Sequence, residues 1–184
     1  CNAGLADLDG NPGTVCEACS AGHYSDVGAA SCTACAAGTF DDDLDAATVC
    51  VDCAVGTYAA SGTTACSDCP SGEADADTNP GTPCTACSAG SYSAVAATVC
   101  TACAAGTADL DSNPNSACVS CVAGQYSPAG AVACTDCAEG KNDDDGQASS
   151  ACVDCQIGSY SAQAATACSI CPAGTTDDDS NPAT

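Results

Sequence analysis

The sequence predicts a small disulfide-rich repeat array: an elongated rod of loops and short β-hairpins, with almost no helix and no conventional hydrophobic core. Three observations carry that expectation. A cysteine pair recurs at fixed steps, a glycine stands at a constant offset from each pair, and large apolar side chains are scarce.

Each pair is Cys-x-x-Cys, with first members at Cys16, Cys32, Cys50, Cys66, Cys84, Cys100, Cys118, Cys134, Cys152 and Cys168, so that steps of 16 and 18 residues alternate. Cys1 stands where the second member of a further pair would fall, and the full unit is 34 residues, one short loop and one long. A fixed period of this size marks a quasi-one-dimensional array in which each unit touches mainly its neighbours. Residues 1–184 read as one tandem run of such units, an excerpt from a longer repeat protein.

Burial alone does not fold this chain. Leu, Ile, Val and Phe together number 18 of 184 residues, and Met and Trp are absent. That is under the one-fifth, roughly, associated with a packed core. The apolar fraction is mostly Ala and Cys, whose burial at about 25 cal/mol per Å² does not offset backbone entropy. Cross-links must supply the difference, and a disulfide closing about 15 residues contributes about 3 kcal/mol by restricting the unfolded chain. Cysteine at 21 of 184 residues also places the chain in an oxidising compartment. No apolar run approaches the ~20 residues of a membrane span.

Zinc is the rival reading of paired cysteines, since these spacings are near those of zinc modules. Charge opposes it: four-thiolate sites would add negative charge to a chain already at −23 with a single basic residue. Redox chemistry of the thioredoxin type needs one exposed pair at a helix start, not ten equivalent copies.

The most economical disulfide scheme joins the second Cys of one pair to the first of the next: Cys1–Cys16, Cys19–Cys32, Cys35–Cys50, Cys53–Cys66, Cys69–Cys84, Cys87–Cys100, Cys103–Cys118, Cys121–Cys134, Cys137–Cys152 and Cys155–Cys168. Only Cys171 is left over, its partner expected two positions beyond Thr184. An interlocked alternative pairs first with first and second with second, as in Cys16–Cys32 and Cys19–Cys35.

The short loops carry Gly-x-Tyr, usually followed by Ser: Gly22-His23-Tyr24-Ser25, Gly56-Thr57-Tyr58, Gly90-Ser91-Tyr92-Ser93, Gly124-Gln125-Tyr126-Ser127 and Gly158-Ser159-Tyr160-Ser161. A glycine at constant offset suits a turn with positive φ or a close backbone approach. The tyrosine is expected to lie flat across its loop and the adjoining disulfide. A row of rings for carbohydrate stacking or subunit contact is the functional alternative. Short strand pairs across the loops are expected; no stretch has the period of about 3.6 residues, with caps, that a helix needs.

The long loops carry acid at fixed offsets: Asp7/Asp9/Asn11, Asp41/Asp43/Asp45, Asp75/Asp77/Asn79, Asp109/Asp111/Asn113, Asp143/Asp145/Gln147 and Asp177/Asp179/Asn181. Alternating oxygen-bearing residues on a turning backbone can converge on calcium, which accepts about six to eight oxygens. The rest of an EF-hand loop is missing, and Asp followed by Asn-Pro is also an ordinary turn signal. Calcium is therefore a candidate ligand beside the plain reading of solvated turns.

With one Lys and no Arg, the chain offers no footprint for nucleic acid or anionic lipid. His23 and Lys141 occupy variable positions and read as incidental surface residues. No catalytic residues and no cofactor are expected. The absence of any Asn-x-Ser/Thr sequon leaves O-linkage for any glycan.

The pattern Cys-x-x-Cys-x-x-Gly-x-Tyr-Ser-x(6–8)-Cys-x-x-Cys resembles the ephrin-receptor-like cysteine-rich repeat, itself distantly similar to the modules of tumour-necrosis-factor receptors. Tandem arrays of that repeat occur in secreted and surface proteins of protists and algae, including ciliate surface antigens and flagellar hairs (mastigonemes). The resemblance covers the whole chain and also suggests the local, second-to-first pairing. The departures are the Asp-rich long loops, the strict alternation, and the scarcity of Pro after the second Cys (only Pro70 and Pro172).

These features lead to the expectation of an extracellular structural protein, a building block of a filament or surface coat, with flagellar hair as the concrete candidate. A ladder one module thick has no second layer to bury against, so self-association or neighbouring chains are expected. The stalk or ectodomain of a surface receptor or antigen, and a secreted calcium-binding matrix protein, are the alternatives.

Overall fold

The computed structural model describes residues 1–174 together with Asn181 and Pro182. Among them there is no helix; every regular element is a strand of two residues paired antiparallel with one neighbour. The chain divides into two compact units, Cys1–Ala86 with Ala94–Cys100, and Cys87–Ser93 with Thr101–Thr184.

The first unit holds five hairpins: β1 (Leu5–Ala6) with β2 (Glu17–Ala18), β3 (His23–Tyr24) with β4 (Thr33–Ala34), β5 (Thr39–Phe40) with β6 (Val51–Asp52), β7 (Thr57–Tyr58) with β8 (Ser67–Asp68), and β9 (Glu73–Ala74) with β10 (Thr85–Ala86). The second holds β11 (Ser91–Tyr92) with β12 (Thr101–Ala102), β13 (Thr107–Ala108) with β14 (Val119–Ser120), β15 (Gln125–Tyr126) with β16 (Thr135–Asp136), β17 (Lys141–Asn142) with β18 (Val153–Asp154), and β19 (Ser159–Tyr160) with β20 (Ser169–Ile170). The returning strand of each hairpin is the x-x of a Cys-x-x-Cys pair, so the motif is itself a piece of sheet.

A lone two-stranded hairpin is marginal in water, and each one here is closed covalently. The structure joins Cys1 to Cys16, Cys19 to Cys32, Cys35 to Cys50, Cys53 to Cys66, Cys69 to Cys84, Cys103 to Cys118, Cys121 to Cys134, Cys137 to Cys152 and Cys155 to Cys168, with Cα–Cα distances of 5.5–5.8 Å. Cys87 and Cys100 are disulfide-bonded as well, and Cys171 is free. Loops with separations of 13 and 15 residues correspond to about 3 kcal/mol each in the chain-entropy account.

The turn entering each hairpin explains the glycine. In Ser20-Ala21-Gly22-His23 the His23 N–H donates to the Ser20 carbonyl and Gly22 has φ +78°, the geometry that asks for Gly at the third turn position. Successive loops are then tied by backbone hydrogen bonds at a constant step. In the first unit Gly4 N–H donates to Ser25 O and Ser25 N–H to Ala46 O; in the second, Gly106 N–H donates to Ser127 O and Ser127 N–H to Ala148 O.

The buried positions are small. Cys35, Cys69 and Cys137, with Ala6, Ala74 and Ala108, are fully covered, as is nearly all of Cys103. Tyr24, Tyr58, Tyr92 and Tyr126 are half-buried, and Tyr160 is exposed.

Candidate functional site

The aspartate triplets sit in the long loops, between the two strands of each long-loop hairpin, and the structure divides them into three jobs. The first aspartate is buried. Asp41, Asp75, Asp109 and Asp143 are only 4–7% exposed, and their Oδ2 atoms accept the backbone N–H of Gly22, Gly56, Gly90 and Gly124 at 2.9–3.1 Å. Each such bond reaches back 19 residues to the turn of the preceding short loop. The same aspartates donate their own N–H forward, Asp41 to Thr63 O and Asp109 to Ala131 O. Oδ1 accepts within the loop, from Leu44 N–H in Asp41 and from Asn79 N–H in Asp75. Asp7, first in its triplet, is half-buried.

The second aspartate is exposed and organises the turn. Asp9, Asp43, Asp77, Asp111 and Asp145 each accept the N–H two residues on. They also accept the hydroxyl five residues on, from Thr14, Thr48, Thr82, Ser116 and Ser150. In Asp9, Asp77, Asp111 and Asp145 these bonds favour the ionised form. The carboxyls of Asp9, Asp77 and Asp145 fall below the ordinary aspartate range, chiefly through the N–H of Asn11, Asn79 and Gln147 respectively and next through the hydroxyl; for Asp111 the Ser116 hydroxyl is the larger cause.

The third residue closes an Asx turn. Asn11, Asp45, Asn79 and Asn113 accept, through Oδ1, the N–H of Gly13, Ala47, Gly81 and Asn115. Gln147 instead contributes its backbone, its carbonyl accepting the Ser150 hydroxyl. Asn181 is exposed, and Asp177 and Asp179 lie outside the described residues.

In the described triplets the bonded side-chain oxygens thus go to backbone N–H groups and hydroxyls. Among the described residues no three His, Cys, Asp or Glu side chains converge as a metal-ion cluster. The Thr or Ser five places after every second aspartate was a signal for this role that the sequence carried openly. The serine of Gly-x-Tyr-Ser was another: Ser25, Ser127 and Ser161 are buried and donate their hydroxyls to the carbonyls of Leu5, Thr107 and Lys141, each 20 residues back.

The two isolated basic groups hold ordinary surface roles. His23 Nδ1 lies 3.2 Å from the Ser20 hydroxyl, and Lys141 pairs with Asp154 across β17 and β18. No helix among the described residues is long and apolar enough to cross a membrane.

No known family matches the chain, and no curated protein matches it. Units of about 16 residues, each with one disulfide and one hairpin, establish a tandem cysteine-rich repeat array, and so dense a disulfide frame belongs to an oxidising, extracytoplasmic environment.

Proposed function

We propose that this chain is an extracellular structural protein, a building block of a filament or surface coat. The observation that carries the reading is where its polar chemistry goes. The repeated carboxylates Asp41, Asp75, Asp109 and Asp143 bind the backbone of the neighbouring loop, and the repeated serines do the same. Groups that would be free to act on a substrate are instead used to fix one loop on the next. Contacts repeated at a constant step generate open assemblies.

The resemblance to ephrin-receptor-like repeats, and to their tandem arrays in protist and algal surface proteins, supports a flagellar hair as the concrete setting. Neighbouring copies of the chain, with O-linked glycans, are the partners this reading calls for. Negative-stain imaging of material from the native source tests it. Filaments or coat fibres that bind an antibody to this segment support the proposal. Isolated particles anchored singly at the cell surface would assign the chain to a receptor stalk.

A further inference from the structure

In the 34-residue unit, two positions hold Ser or Thr in all five copies. One is the row Thr14, Thr48, Thr82, Ser116 and Ser150, whose hydroxyls bind the second aspartates. The other is Thr33, Ser67, Thr101, Thr135 and Ser169, the first residue of the returning strand in each short-loop hairpin. These five are exposed, and among the described residues none of their hydroxyls has a hydrogen-bond partner. Strand propensity accounts for Thr but not for Ser at such a place. The shared property is the free hydroxyl.

Directly across the hairpin from each stands a tyrosine: Tyr24 opposite Thr33, Tyr58 opposite Ser67, Tyr92 opposite Thr101, Tyr126 opposite Thr135 and Tyr160 opposite Ser169. Cross-strand partners project from the same face with Cβ atoms about 5 Å apart, so each hydroxyl has an aromatic ring beside it. The long-loop hairpins lack this combination. Their equivalent residues are Glu17, Val51, Thr85, Val119 and Val153, and the single hydroxyl among them, Thr85, faces Ala74. Beside Tyr126 and Thr135 the surface is hollowed into a groove of about 300 Å³, lined also by Asp136, Ala138 and Lys141, the low end of ligand-sized clefts, about 300–1,000 Å³.

We propose that Thr33, Ser67, Thr101, Thr135 and Ser169 are O-glycan attachment sites, each with its cross-strand tyrosine as the surface on which the first sugar lies. The hydroxyl oxygen attacks the anomeric carbon of a nucleotide-activated sugar held by a glycosyltransferase. The new bond is Oγ–C1; the C1–O bond to the nucleoside diphosphate breaks with its electron pair, and the hydroxyl proton passes to the transferase's base. The sugar's C–H face then meets the negative face of the tyrosine ring. The proposal gives attachment sites to the O-linked glycans of the filament reading, and imaging tests that reading separately, since a receptor stalk could carry the same sites.

Site-localised mass spectrometry of the protein secreted by its native cells, digested with its glycans intact, is the test. Glycan mass increments are expected on the five sites, at occupancies at least tenfold above Thr85, with none on Thr14, Thr48 or Thr82. Five unmodified sites would overturn the proposal. So would Thr85 occupied as fully as Thr101, because the ring would then select nothing.

Discussion

The Oδ2 atom of Asp75 accepts the N–H of Gly56 at 3.0 Å, a bond from the long loop back to the turn of the preceding short loop. The Asp75 Oδ1 atom holds Asn79 N–H at 3.0 Å, so one buried carboxylate satisfies two donors.

Asp75→Ala leaves the Gly56 N–H without its acceptor and removes one of the two carboxylates that share the Asn79 N–H, at about 1–3 kcal/mol for the buried unsatisfied amide. Asp75→Asn is expected to be nearly as damaging, since its NH₂ must face one of the two N–H groups. Hydrogen exchange checks this: the Gly56 amide should exchange faster in either variant and the Gly124 amide should not. Equal protection of Gly56 in wild type and variant would remove the carboxylate from the account.

Gly124→Ala tests the close approach. Its φ is +81°, and a Cβ there would collide with the carbonyl oxygen of Ala164. Gly146 also has positive φ, +66°, but a Cβ there meets nothing within 4 Å. Gly146→Ala should therefore cost only the left-handed penalty, about 1–2 kcal/mol, and Gly124→Ala clearly more. Equal losses in thermal unfolding would show that backbone contact between loops is unimportant.

Thr78 occupies the place held by Gly10 and Gly146 in other units and has φ +54°, a conformation that β-branched residues avoid. Thr78→Gly should raise stability by up to about 1 kcal/mol, the left-handed penalty less the added freedom of the unfolded chain. A drop in melting temperature would contradict this.

The carboxyls of Asp9, Asp77, Asp111 and Asp145 are depressed in the folded chain. Their contribution to stability is fully present above the unfolded aspartate value and is lost as pH falls through the lower, folded one. The long loops should thus loosen only in acid below about pH 4. Removing the Thr82 hydroxyl in Thr82→Val should move the Asp77 carboxyl back towards the ordinary range. NMR titration of the aspartate carboxyl carbons reads both effects, and an unchanged Asp77 midpoint would rule out the hydroxyl as a cause.

Much of the fold was legible because its constraints are local. Hairpins across the Cys-closed loops, the scarcity of helix and the glycine turns follow from cysteine spacing and from what only Gly tolerates. The role of the first aspartate in a triplet was not legible. Asp41 and Asp43 are the same residue type two places apart, and only the step between loops reveals that one meets Gly22 while the other meets Thr48.

The disulfides make the chain a covalent ladder closed loop by loop. Peptide mapping of the native, unreduced protein tests it most directly. Cys35 should be recovered linked to Cys50 and Cys53 linked to Cys66, and reduction should leave a disordered chain, since few apolar contacts remain to hold it. A dominant peptide linking Cys16 to Cys32, or a reduced chain that keeps its hairpins, would contradict it.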